Sequence, residues 1–101
     1  MSLLSEGRTL AIQGSYPEAI EFLQFAQEKA PEDPRPLYLL AFCQASLNEN
    51  SAAAVSMAAA CSLERRGTKF NWPQYMERIQ GPKRIWVELE RRRQLNTKTG
   101  R

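Results

Sequence analysis

Between Gly14 and Pro31 the chain reads GSYPEAIEFLQFAQEKAP, with its small and apolar residues returning at three- and four-residue steps. Ala19, Ile20, Leu23 and Ala26, with Gln27 beside them, share one face of a 3.6-residue helix, while Glu18, Glu21, Gln24 and Glu28 point elsewhere. The spacing predicts an amphipathic helix over about 17–29. Ser15 stands where a cap is favoured, and Pro17 stands in the first turn, where its missing N–H costs nothing. Gly14 marks a turn before it, and Pro31, Pro34 and Pro36 punctuate the chain after it. The same reading places a first helix over 3–13, with Leu3, Gly7, Leu10 and Ala11 on its packed side. Further helices are expected from Pro36 to Leu47 and, capped by Ser51, from Ser51 to about Glu64, around an Asn48-Glu49-Asn50 turn.

The layout repeats. Leu3, Gly7, Ala19, Leu23 and Ala26 are matched 34 residues later by Leu37, Ala41, Ala53, Met57 and Ala60, and the turn residue Gly14 by Asn48. A self-similarity of this length, built from two helices and a turn, is the sign of a helical repeat. The chain resembles the tetratricopeptide repeat family, whose pattern is W-x2-L-G-x2-Y, then A-x3-F, then P. The first copy here is Leu3-x2-Glu6-Gly7-x2-Leu10, Ala19-x3-Leu23 and Pro31. The second is Leu37-x2-Leu40-Ala41-x2-Gln44 and Ala53-x3-Met57, with Arg65 at the closing proline's place. The resemblance implies an all-α, right-handed stack of antiparallel helix hairpins, about six helices in all, with repeats at 1–33 and 34–65.

One more period beyond Asn48 falls on Pro82, so a third hairpin is expected, with helices near 72–80 and 82–95 opened by Pro73 and Pro82. Trp72, Tyr75, Met76 and Ile79 supply the apolar face of one, and Ile85, Trp86 and Leu89 that of the other. Val87 and Arg91 replace Ala53 and Met57 at the matching places, so residues 66–95 read as a degenerate third repeat or a capping hairpin. The remainder, 96–101, reads as a flexible basic tail.

In the family that the chain resembles, the first helices of successive repeats line a concave groove that holds a partner. By matched position this implies groove residues Leu4, Arg8 and Ala11, then Arg35, Tyr38, Phe42 and Ala45, joined by Lys69, Trp72 and Met76 from the third hairpin. Aromatics mixed with cations suit a partner segment that has apolar anchors and acidic groups. Some members grip a C-terminal carboxylate with lysines and asparagines. Leu4 and Arg8 stand where that set would begin, so the specificity is not carried over. The plainer alternative is that Tyr38 and Phe42 pack on a neighbouring helix and that Trp72 and Trp86 are core.

Composition narrows the chemistry. The 101 residues are 43% hydrophobic and 25% charged, an ordinary globular balance for one domain or a few repeats. With no histidine, the commonest general base and metal ligand is missing, and there is no nucleophile elbow or phosphate-cradling glycine loop. A non-catalytic interaction module with no cofactor and no metal is therefore expected. Cys43 and Cys61 lack metal-type spacing and read as small buried thiols, a disulfide between them being the lesser alternative. No apolar run reaches the ~20 residues of a membrane span. MSLLSEGR does not resemble a secretory signal, so a cytoplasmic location is expected.

Charge is distributed unevenly. Residues 1–33 carry two basic and six acidic side chains, and residues 64–101 carry eleven basic and four acidic ones, within an overall +3. The basic end, including Arg91-Arg92-Arg93, is a solvated helix face by default. It also admits two alternative functions: binding of a nucleic-acid backbone, and self-association in which acidic and basic ends meet.

Overall fold

The structure, a computed structural model, describes residues 2–96. They form six helices: α1 (Leu3–Ile12), α2 (Tyr16–Lys29), α3 (Pro34–Ser46), α4 (Asn50–Arg65), α5 (Trp72–Tyr75) and α6 (Pro82–Leu95). There is no strand among the described residues. The all-α stack of helices expected from the period is therefore present. Of the tail expected over 96–101, Asn96 caps the end of α6, and 97–101 lie outside the described residues.

The two turns inside the repeats share one device. Gly14 has φ 82° and Asn48 has φ 63°, both in the left-handed region that glycine and asparagine tolerate best. Each lets the chain reverse within three residues, so that α1 folds against α2 and α3 against α4. The caps differ from expectation. Ser15 makes no side-chain bond to α2, and α4 starts one residue before Ser51, with Glu49 at its cap position. Within the two repeats the side-chain caps are instead Ser2, whose Oγ accepts from Ser5 N–H at 3.0 Å, and Asp33, whose Oδ1 accepts from Arg35 N–H at 3.0 Å. The second bond draws the start of α3 back to Pro34, ahead of the expected Pro36.

Gly7 explains its own presence. A Cβ there would come within 2.7 Å of Leu23 Cδ2, so any larger residue would force the buried Leu23 side chain to shift where α1 meets α2. Its match in the second repeat, Ala41, is completely buried. α3 is the central helix, packing against α2, α4 and α6 and touching α1. Its residues from Pro36 through Cys43 are all buried, in a core shared with Leu23, Met57, Trp72, Met76, Ile79 and Val87.

The third hairpin departs from the regular layout. The helix expected over 72–80 is a single turn, capped by Asn71 Oδ1 accepting from Gln74 N–H. Beyond Tyr75 the chain becomes irregular, with Arg78 at φ 76° and Gly81 at φ 116°. Carbonyls that a helix would have satisfied internally are taken up by arginines. Arg8 of α1 donates to the Tyr75 and Glu77 carbonyls, both at 2.8 Å. Arg84 of α6 donates to those of Met76 at 2.8 Å and Ile79 at 3.0 Å. Residues 70–79 thus form a strap that lies over α3 and reaches α1, and α6 then packs on α3 and α4.

Candidate partner-binding site

The strap decides which of the sequence-derived groove residues remain accessible. Tyr38 and Phe42 are 0% and 1% exposed, and Trp72 and Met76 are 5% and 0% exposed. Trp72 meets Tyr38 edge-on at 4.9 Å between ring centroids, with Phe70 at 6.0 Å on the same tyrosine. Phe42 packs edge-on against Tyr16 at 5.7 Å. Ala11 and Ala45 are buried as well. Phe70 and Trp72 thus give Tyr38 its apolar contacts from within the chain, and Tyr16 of α2 does the same for Phe42.

Beneath the strap runs a polar network. The Tyr38 hydroxyl donates to Glu64 Oε1 at 2.6 Å. Arg91 donates to both Glu64 oxygens, at 3.1 and 2.6 Å, while lying 4.2 Å from the Trp72 ring centroid. The Trp72 indole N–H donates to Glu88 at 2.9 Å, and Arg84 pairs with Glu88 at 3.3 Å. Burial works to raise the Glu64 pKa, but the hydrogen bonds from Arg91 and Tyr38 outweigh it and hold the carboxyl below its ordinary range. Burial, together with its contacts to Cys61 and Glu64, pushes the Tyr38 hydroxyl far upward. Arg91 therefore ties α3, α4, α5 and α6 together and is not part of a free basic face. Arg93 is paired with Glu90. Cys43 and Cys61 are both buried free thiols, the first pushed up to about 12 by desolvation.

Four of the expected residues stay at the surface, and three of them converge. Leu4, Arg8 and Arg35 line an open cleft of about 560 Å³ with Ser2, Ser5, Phe70, Asn71, Gln74, Tyr75 and Glu77. Its wall is the Tyr75 ring, with the Arg8 guanidinium 5.6 Å and the Arg35 guanidinium 5.9 Å from its centroid. Among the described residues the buried Tyr75 hydroxyl has no hydrogen-bond partner, and desolvation pushes its pKa upward. Asp33 holds Arg35 through bonds at 3.0 and 2.8 Å. Lys69 lies apart from Arg8, lining an adjoining depression of about 630 Å³ with Asp33 that shares Arg35 and Phe70 with the cleft.

Sequence reasoning missed Phe70, Asn71, Gln74, Tyr75 and Glu77 at the cleft, and Glu64 and Glu88 in the network. The partners that place Tyr75, Glu77, Glu64 and Glu88 include ones 16 to 69 residues away, beyond any local spacing. One signal was available: a buried tryptophan N–H needs an acceptor, and α6 carries two nearby carboxylates.

Among the described residues no group of three His, Cys, Asp or Glu is placed to hold a metal ion. Among them, too, no helix is long and apolar enough to cross a membrane.

Neither a search of curated proteins nor one of solved structures returns a match. A family profile described as tetratricopeptide repeat matches residues 10–60, half of the chain. That span runs from within α1 to within α4 and includes both left-handed turns. Such repeats generally mediate protein–protein interactions and are typically not catalytic. The helices, the turns and the profile agree: this chain belongs to the tetratricopeptide repeat family.

Proposed function

We propose that the chain is a non-catalytic scaffold or adaptor that receives a segment of a partner protein in the cleft between α1, the start of α3 and residues 70–77. The observation that supports this most is the meeting of Leu4, Arg8 and Arg35 with Phe70 and Tyr75 in one open cleft. Apolar side chains there offer area to desolvate. Each arginine has donors beyond those used on the Tyr75 and Glu77 carbonyls or on Asp33. A segment with an acidic residue next to an apolar one fits that combination. In this reading residues 1–33 and 34–65 are the two working repeats and residues 66–95 are a cap, whose strap occupies the part of the groove that Tyr38 and Phe42 would line. Free thiols at Cys43 and Cys61 accord with a reducing, cytoplasmic setting.

A photo-crosslinking residue placed at exposed Gln74 tests the reading, with Val55 on the far side of α4 as control. The expected result is a protein adduct from position 74 that is absent from position 55 and is lost when Ser5→Tyr fills the cleft. An adduct formed equally from both positions, or unaffected by Ser5→Tyr, would contradict the cleft as the site.

A further inference from the structure

Two exposed helix faces carry the features of an interface unrelated to the cleft. On α6, Ile85 is 62% exposed and Leu89 is 55% exposed. Exposed Arg92 comes next, giving a stripe at i, i+4 and i+7 along a single face. On α2, Phe25 is 57% exposed, and exposed Glu18, Glu21 and Glu28 lie at i−7, i−4 and i+3 from it. Neither these three glutamates nor Arg92 takes part in an ion pair among the described residues. The remaining α6 carboxylates are engaged, Glu88 with Arg84 and Glu90 with Arg93. Exposed Lys29, at i+4 from Phe25, offsets one of the three glutamates. The α2 face thus presents an apolar centre with a net negative surplus, and the α6 face one with the positive charge of Arg92.

We propose that the α6 face of one copy docks on the α2 face of a second copy, burying Ile85 and Leu89 against Phe25 and setting Arg92 against the glutamates. Pairing α6 with α6 would oppose cations, and pairing α2 with α2 would oppose carboxylates, so the heterologous arrangement is the one with complementary charge. A head-to-tail contact between different faces does not close on itself in general, so it extends into short chains. Two single-helix faces bury far less than the ~800 Å² per partner of a standard interface, so the association is weak and fast. It is also sensitive to salt, because its charges lie at the surface.

The experiment is sedimentation velocity of the full chain at about 50 mM and about 500 mM salt over a range of concentrations. At low salt the average mass rises with concentration, and high salt returns it to the monomer. Phe25→Glu and Leu89→Glu change exposed positions, and circular dichroism checks that each variant folds. Each alone stays monomeric. Their equimolar mixture forms a dimer and nothing larger, because each variant supplies the face that the other lacks. Charge reversal through Glu21→Lys, which touches no core residue, weakens association, and Arg92→Glu in the opposing copy restores it. A wild type that stays monomeric at low salt overturns the proposal. So does a Phe25→Glu chain that associates as the wild type does, which would indicate α6 pairing with itself, and so does a variant mixture that stays monomeric.

Discussion

Glu64 is the residue where the third hairpin is fastened to the second repeat. It accepts from Tyr38 of α3 and, through both oxygens, from Arg91 of α6, while itself belonging to α4. Hydrogen bonds to a charged group contribute about 1.5–3 kcal/mol each when made, and the penalty for a stranded partner is of similar size. Glu64→Gln keeps the shape and weakens the charge-assisted bonds, so it should cost about 1–3 kcal/mol in urea unfolding at neutral pH. The same contacts set the sign of the pH dependence. The folded-state pKa of Glu64 is held below its ordinary 4.5, so the stabilisation is complete above that value and is lost as pH falls through the folded-state pKa. Wild-type stability should therefore drop on acidification below about pH 4.5, and Glu64→Gln should drop less. Some acid sensitivity remains in the variant, since Arg35 and Arg93 also hold Asp33 and Glu90 low. Equal acid dependence in the two proteins would contradict this account of Glu64.

At the scale of elements, the pattern of apolar positions revealed five helices to within about two residues of their ends and misjudged one. The two repeats were legible because their burial pattern is helical and their turns carry glycine or asparagine at the left-handed position. Even the unfavourable Gly7 was legible, since a period that needs close helices gives a reason to accept it. The helix over 72–80 was read too long because Trp72, Tyr75, Met76 and Ile79 have helical spacing. The structure buries Trp72, Met76 and Ile79 fully, and Tyr75 partly, with one turn and an irregular strap. What replaces the missing helical hydrogen bonds is a pair of arginines from distant elements, which no local pattern encodes. Arg8→Gln removes the two bonds to the Tyr75 and Glu77 carbonyls. Limited proteolysis should then cut at exposed Arg78 several-fold faster, with far-ultraviolet circular dichroism nearly unchanged, because local opening needs fewer contacts broken than global unfolding. Cleavage at the wild-type rate would mean that the strap is held by its apolar side chains alone.

Across the whole molecule, the candidate site was half legible. Leu4, Arg8 and Arg35 come together in an open cleft, with Lys69 beside it. Tyr38, Phe42, Trp72 and Met76 lie in the core instead. Matched positions identify the side of α3 on which contacts form, and they do not reveal whether those contacts come from a partner or from the chain's own third hairpin. Here the hairpin supplies them. Two repeats leave an apolar face on α3 that must be covered, and Trp72, Met76, Ile79 and Val87 cover it. Charge behaves similarly. The basic surplus of the C-terminal third looks like a surface feature in the sequence, yet Arg84, Arg91 and Arg93 are engaged by Glu88, Glu64 and Glu90. The most direct test of a self-covered groove is the environment of Trp72, read in a Trp86→Phe chain where it is the only indole. The account predicts blue-shifted emission that acrylamide barely quenches until urea unfolds the chain. Native emission as red-shifted and as readily quenched as in urea would mean that Trp72 is not under α6 and that the groove is open.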